Sequence, residues 1–458
     1  MKKLIHIIKY TGMLGILAAN LSCEKMIETD LPQNQIATQD VFSDVQTANA
    51  ALSALYAGLW DSSPISADQS GRLLGMYTDD LIYHTAVTNN GFPDIFNNTL
   101  LDSNAPVTTF WTAAYQKIYV ANSIIEGVEE STGLSAADKA RITAEALTIR
   151  SLLFLYLQQI YGDIPYPVTT NYIINQNIDK TPAGEVLNRI EMDLLDAIPA
   201  LNDQYRNAER IFINRKTAEL ILSKVYMQQK QWSKAEASLK TILQSPLYQF
   251  QNDITKVFQK SGTHILWQLK PKNSGDATKE ASLYYFVNAA PTGFSLTNSL
   301  VSSFPAGDLR KQSWMGTVTV GANTWYRAEK YRLRSANTTE YSVVFRLEEV
   351  NLLLAESLAQ QNKIAEAMPY LNRTRQRATL PALTASITQP ALLAEILNEN
   401  RREFFTEMGH RFFDLKRNDQ LSQLTAVKPN WKEYHRLWPV PQKELLLNGK
   451  LKPQNQGY

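Results

Sequence analysis

The chain has 458 residues, of which 46 are Lys or Arg and 44 are Asp or Glu, for a formal charge of +2. A balance so near neutrality gives no electrostatic case for nucleic acid or for an anionic membrane face. Its single cysteine, Cys23, excludes an intrachain disulfide framework, and a chain this long accommodates one large domain or two or three ordinary ones.

Lys2, Lys3 and Lys9 charge the first residues, and Tyr10 to Ser22 holds no charged side chain, with Met13, Leu14, Ile16 and Leu17 in an apolar run. The run is shorter than the ~20 apolar residues of a spanning helix, so residues 1–22 read as a secretory signal that is cut away. Leu21-Ser22 directly precedes Cys23, which resembles the lipobox of bacterial lipoproteins and makes Cys23 the expected lipidation site. One acyl chain binds a membrane only marginally, so lasting attachment needs several on that residue. Removing residues 1–22 leaves 43 basic against 44 acidic side chains, a charge of −1. Residues 23–39, with Pro32 and the acids Glu24, Glu28 and Asp30, read as a flexible tether.

Helical periodicity then sets in. Asp44 to Trp60 repeats Val45, Ala48, Leu52, Leu55 and Leu59 on one face, and Thr108 to Val128 repeats Phe110, Ala114, Ile118, Ala121 and Ile125. Ser135 to Ile160 follows, with Ser135 as a cap, "LLFLYL" apolar nearly all round, and a stop at Tyr161-Gly162. A further helix starts at Thr181-Pro182. Asn214 and Ser233 are expected caps of two helices joined by about three residues, which must pack antiparallel. That hairpin resembles a tetratricopeptide repeat, and the pattern returns at Leu347 to Leu358 and Ile364 to Leu371, where Pro369 is expected to kink the second helix or delay its start. The fold class is therefore mainly α: tetratricopeptide-like hairpins forming a scaffold over about 40–60, 108–246 and 341–420, within a single domain of residues 40–458. Two loop-rich inserts, about 61–107 and 250–340, lack helical period, with short strands expected in "HILWQL" and "GTVTV". Inserts of this kind on a rigid frame are where ligands bind.

The chemistry-bearing motifs are mostly absent. The five histidines show no close ligand spacing, and the sequence has no phosphate loop, no G-x-G-x-x-G opening a helix and no G-x-S-x-G elbow, so neither metal nor cofactor nor catalytic residue is expected. Asp79-Asp80 offers two acids of the type a glycosidase uses, but adjacent acids are ordinary in turns. The run Arg401, Arg402, Glu403, Glu407, Arg411, Asp414, Lys416 and Arg417 is spaced at three and four residues and reads as a structural ion-pair network on helices. The candidate ligand residues are the rings of the two inserts, Tyr77, Phe92, Phe96, Tyr284, Tyr285, Phe294, Trp314, Trp325 and Tyr326, with Asp79 among the polar neighbours. A flat ring stacks on the apolar face of a sugar while polar groups take its hydroxyls; burial as ordinary core is the competing reading of each ring.

Several stretches together resemble the SusD/RagB family of surface nutrient-binding lipoproteins: "LWPVPQKELLLNGKLKPQNQGY" at the carboxyl end, "ENRREFFTEMGHRFFDLKR" from Glu399, "YLNRTRQRA" from Tyr370, "YGDIPYP" from Tyr161, "WTAAYQKIYVANSII" from Trp111 and "GDLR" from Gly307. Trp438 stands where the family has leucine, Gln456 replaces its last proline, and Asn400 replaces an arginine. The resemblance implies a helical scaffold with a less regular ligand face, no enzymatic activity, a lipid anchor in the outer membrane through Cys23, an oligosaccharide ligand, and a SusC-like TonB-dependent transporter as partner. The acids just after Cys23 resemble surface-export signals. A peptide ligand, a secreted glycosidase and a protein-interaction scaffold are the alternatives.

Overall fold

The computed structural model describes residues 38–458; the expected signal peptide, Cys23 and all but the last two residues of the expected tether lie outside the described residues. The longer helices among them are α1 (Val45–Asp61), α2 (Ser70–Tyr77), α3 (Ala105–Glu130), α4 (Ala136–Tyr161), α5 (Ala183–Ala197), α6 (Arg215–Gln228), α7 (Trp232–Leu243), α8 (Leu347–Gln360), α9 (Ile364–Arg377), α10 (Gln389–Phe404) and α11 (His410–Arg417). From α3 to α8 each packs on the next, and α8 then packs on both α9 and α10. The expected hairpin scaffold is present, and α4 is its central member, with Leu152 to Leu157 all buried.

Side chains cap the N-termini of α1, α4 and α6. The Asp44 carboxylate accepts from the backbone N–H of Gln46 and Thr47, Ser135 Oγ accepts from that of Asp138, and Asn214 Oδ1 from that of Thr217. Gly162 ends α4 at φ +77°, a conformation glycine adopts without a side-chain clash. The expected Ser233 cap is corrected: α7 begins at Trp232, one residue before it, and the Ser233 hydroxyl instead donates to Gln361 of the neighbouring hairpin. The backbone closes that turn unaided. Lys230 at φ +57° lets Gln231 N–H reach the Tyr226 carbonyl, and Asn362 at φ +60° repeats the arrangement with Lys363 and Leu358. The matching turn sequences, Gln228-Gln229-Lys230 and Gln360-Gln361-Asn362, are the visible trace of the repeat. Pro369 does not delay α9, which starts at Ile364 and runs through the proline to Arg377.

The inserts are more ordered than their composition suggested. The first contains α2, a short helix Phe92–Asn97 and strand β1 (Leu81–Tyr83); the second contains β2 (Ile265–Leu269), β3 (Phe294–Leu296), β4 (Met315–Val320) and β5 (Asn323–Ala328), and β6 (Ser342–Arg346) follows it directly. β2 pairs antiparallel with β6 and closes the second excursion at its base, so that α7 and α8 pack together although residues 244–346 separate them. The other four strands form one antiparallel sheet in the order β1-β3-β5-β4, in which Leu81, Ile82 and Tyr83 pair with Leu296, Ser295 and Phe294. The two inserts are thus joined strand to strand.

The charge run at the α10–α11 corner holds both inserts to the scaffold. The expected network exists, but most of its partners are far apart in sequence and buried. Glu403 binds Arg346 at 2.5 Å, Arg310 at 3.1 Å and Arg377. Glu399 binds Arg310 at 2.7 Å, and Glu407 binds Arg346 at 2.9 Å and Lys330 at 2.5 Å. Arg310 and Lys330 belong to the second insert. On the other side, Arg401 reaches Asp79 and Asp80 of the first insert at 2.9 and 3.0 Å, and Arg411 reaches Asp79 at 2.8 Å. Pairs at three-residue spacing on one helix are the minority, as in Arg402 with Glu399 and Arg417 with Asp414.

Removing one member of a buried ion pair leaves the other charge stranded. Glu403→Ala is expected to lower the unfolding free energy by about 3–5 kcal/mol in urea titrations; a loss within about 1 kcal/mol, the range of an exposed pair, would refute the clamp. The network also sets an acid limit. Burial pushes the carboxyls of Glu399, Glu403 and Glu407 up, yet the facing cations hold all three below the ordinary glutamate range. The unfolded chain therefore binds more protons in acid, so this stability is complete above about pH 5 and is lost as pH falls below about 4. Glu280 has the opposite sign: burial raises it to about 7, so its cost is relieved as pH falls through that value. Urea midpoints should fall steeply below about pH 4; unchanged midpoints down to pH 3 would contradict the assignment.

Candidate functional site

The four-stranded sheet decides which candidate rings can meet a ligand. Residues directly opposite across an antiparallel pair share a face, as do alternate residues along a strand. Ile82 pairs with Ser295, and Thr297 lies two residues further on. Leu296 pairs with Tyr326, so the register carries Thr297 opposite Trp325. Ile82, Thr297 and Trp325 therefore stand on one face. Ile82 and Thr297 line a cleft of about 290 Å³, together with Phe96, Ser299, Lys428 and Asn430. Trp325 is half-buried and stands apart from the core cluster. Two residues along, on the same face, Arg327 approaches the ring of Tyr285 at 5.2 Å, while the Arg334 guanidinium covers that ring at 3.4 Å. Tyr285 is 37% exposed.

Asp79 forms the charged floor of the cleft. Burial pushes its carboxyl up, but hydrogen bonds from Arg411 and the charges of Arg401 and Arg411 hold it below the usual aspartate range. Asp80 behaves oppositely, raised by burial and by the Asp79 charge against the pull of Arg401. Lys428 closes one wall: its ammonium donates to the carbonyls of Met76 and Phe96 at 2.6 and 2.7 Å and lies 4.1 Å from the Phe96 ring centroid. Burial lowers it to about 8. The cleft thus offers an aromatic edge, the Ser299 hydroxyl and the amides of Asn97 and Asn430, while the Thr297 hydroxyl is engaged, donating to the Asp79 carbonyl and accepting from the Leu300 N–H. That mixture suits a neutral polyhydroxylated ligand. Among the described residues, no group of three or more His, Cys, Asp or Glu stands close enough to hold a metal.

Four of the ten candidate residues are structural. Tyr77 is wholly buried among Phe412, Trp431 and Trp438, with its hydroxyl donating to the His435 carbonyl at 2.8 Å. Trp314 is buried over the ion-pair network and donates its indole N–H to the Ile254 carbonyl. Tyr284 and Phe294 pack on each other in the core. These four rings cannot stack on a ligand, because their faces are covered by protein. Phe92 is half-buried with the Arg72 guanidinium 4.6 Å from its ring, and Tyr326 packs against the core on the reverse face of the sheet. Asp79 and Phe96 line the cleft, Trp325 stands on β5 of the sheet, and Tyr285, outside the strands, lies against Arg327 of β5. Sequence reasoning missed Lys428 and Asn430, which come from the carboxyl-terminal segment; the loop-forming Lys428-Pro429-Asn430 was the available signal.

A family model described as "Starch-binding associating with outer membrane" matches residues 30–227, and one described as "SusD family" matches residues 297–430. The chain belongs to the SusD/RagB family. SusD-like protein P25 of Formosa agariphila is 24% identical over 525 residues, spanning 97% of each chain. A SusD superfamily protein from Bacteroides vulgatus superposes with a TM-score of 0.79 at 18% identity, over 91% of this chain and 100% of its own. Surface glycan-binding protein A from Bacteroides thetaiotaomicron, solved with laminarihexaose, gives a TM-score of 0.75 at 17% identity over 90% and 99%. A laminarin-binding SusD-like protein gives 0.78 at 21% identity over 91% and 100%. At such identities the structural likeness establishes the SusD fold alone.

The two tryptophans separate core from platform within this SusD-type face. Trp314→Ala empties a buried site and should cost about 3–5 kcal/mol of unfolding free energy, whereas Trp325→Ala should stay within about 1 kcal/mol. Equal losses in parallel urea titrations would show the Trp325 ring to be core.

Proposed function

We propose that this SusD-family protein is a cell-surface lipoprotein, anchored in the outer membrane through acylated Cys23, that captures an oligosaccharide and delivers it to a SusC-like TonB-dependent transporter. The observation that carries the reading is the pairing of β1 with β3, which brings the Ile82–Thr297 cleft of both inserts onto the face of Trp325. Laminarihexaose in the complex of the Bacteroides thetaiotaomicron relative gives the reading its ligand class. The role is that of a receptor and not of a catalyst: Asp79 and Asp80, the acids a glycosidase would use, are occupied by Arg401 and Arg411.

Isothermal titration against laminarihexaose, maltohexaose, cellohexaose and xylohexaose should find at least one ligand, with Trp325→Ala weakening it about ten-fold, the effect of losing one well-placed stacking ring. No binding across the panel, binding of peptides alone, or release of reducing sugar would each overturn the reading. Cys23→Ala should yield a folded protein that no longer sediments with membranes; persistent sedimentation would place the attachment elsewhere.

A further inference from the structure

On the scaffold, away from the insert sheet, the structure holds a second groove, of about 590 Å³, between α3, the segment from Pro165 to Ile178 and the short helix Gln442–Leu447. Trp111, Tyr115 and Tyr119 recur every four residues along α3 and therefore line one face of the helix, a row about 12 Å long at 1.5 Å rise per residue. Trp111 is the buried base of the groove, 3% exposed and in ring contact at 4.8 Å with the half-buried Tyr115, whose hydroxyl donates to the Pro165 carbonyl, so the open ring of this row is Tyr119. Tyr172 faces them from the opposite wall, 74% exposed, and Tyr119 is 55% exposed. Rings left so open on a monomer surface are unusual, because burying each one is worth far more than leaving it in water.

Polar groups of the right type flank the rings. The side chains of Gln116, Gln176 and Asn177 line the groove and make no hydrogen bond to any described residue. Asn175 donates through Nδ2 to the Thr169 carbonyl while its Oδ1 is buried without a partner. Glu444 lines the same groove without an ion pair among the described residues, and burial raises its carboxyl above the ordinary glutamate range. Ring faces beside unengaged amides, in an open groove of ligand size, are the chemistry that holds a chain of sugars from its apolar side and its hydroxyls together.

We infer that the groove along Trp111, Tyr115 and Tyr119 is a second oligosaccharide-binding site, distinct from the Trp325 cleft, and that the two sites together retain a polysaccharide more firmly than either does alone. The inference rests on the glycan-receptor reading above and adds a site to it. Two weak sites on one rigid body gain through effective concentration when one long chain can occupy both, and gain nothing for a ligand too short to span them. The aliphatic side chains at the rim, Ile173, Ile174 and Leu446, are what a protein partner would use, so that reading is an outcome of the test.

The test uses the full chain with Tyr119→Ala/Tyr172→Ala, with Trp325→Ala, and with all three changes, against laminarihexaose and laminarin, and maltohexaose and amylose as the second pair. The two tyrosines are exposed, so their removal should leave the urea midpoint unchanged. Native gels containing polysaccharide should show the double variant retarded about ten-fold less than wild type. Its affinity for the hexaose at the Trp325 cleft should change less than two-fold, while the residual hexaose binding of Trp325→Ala should vanish in the triple variant. Tyr119→Phe should retain binding, because the ring carries the contact. Loss of all binding in Trp325→Ala alone, with the tyrosine variant indistinguishable from wild type on polymer, would overturn the second site. Normal polymer retention by the tyrosine variant, together with failure to co-purify with the membrane transporter, would overturn it in favour of a protein interface. A wild-type chain that binds no glycan would instead overturn the receptor reading.

Discussion

The constraint on which the rest of this structure depends is the convergence of Arg310, Arg346 and Arg377 on the carboxylate of Glu403, in a place closed to water. Charges are costly to bury, and such an arrangement persists only where each is met by partners of opposite sign; here the exceptions among hydrogen-bonding atoms are Arg377 Nε and Glu348 Oε2, which are buried without a partner. Glu399, Glu407, Glu348 and Asp308 supply the further acceptors. The result is directional in a way apolar packing is not. A guanidinium fork accepts a narrow range of carboxylate positions, so the network fixes where the second insert sits relative to α9 and α10.

The same corner of the molecule fixes the first insert. Arg401 and Arg411 leave the α10–α11 turn in the other direction and hold Asp79 and Asp80, immediately before β1. One run of charged residues therefore positions both halves of a face that neither insert could form alone, and the pairing of β1 with β3 follows from that placement. The binding chemistry is consequently carried by irregular segments, while their relative geometry is set by ion pairs rooted in helices. Adjacent acids that looked available for catalysis serve as anchors, and their opposed displacements follow from one being doubly bridged and the other shielded behind it.

The aromatic side chains differ in what covers them. Trp314 and Tyr77 find hydrogen-bond acceptors for their polar atoms within the core, the Ile254 and His435 carbonyls, and are buried there. Trp325, Tyr119 and Tyr172 are left half or largely open to solvent. Surface rings arranged along a strand or at four-residue spacing on a helix form flat, rigid platforms at little conformational cost, which is what sugar recognition needs.

The sequence by itself determined the helical scaffold, because hydrophobic spacing and capping are local: Asp44, Ser135 and Asn214 cap the helices they were expected to cap, and the apolar run at Leu152 is central. It also determined the family, through motifs written in contiguous residues, and the structural nature of the charge run from Arg401. Tertiary structure alone decided who pairs with whom in that run, since Arg310 and Arg377 lie 93 and 26 positions from Glu403. It alone separated Trp325 from Trp314, eleven positions earlier on the same insert, for nothing in a tryptophan's neighbours reports whether a long-range contact will cover its ring. The groove along Trp111 and Tyr119 was written in an i, i+4 repeat that reads equally well as core. The structure buried Trp111 at the base and, among the described residues, packed no element over Tyr119, whose ring faces solvent.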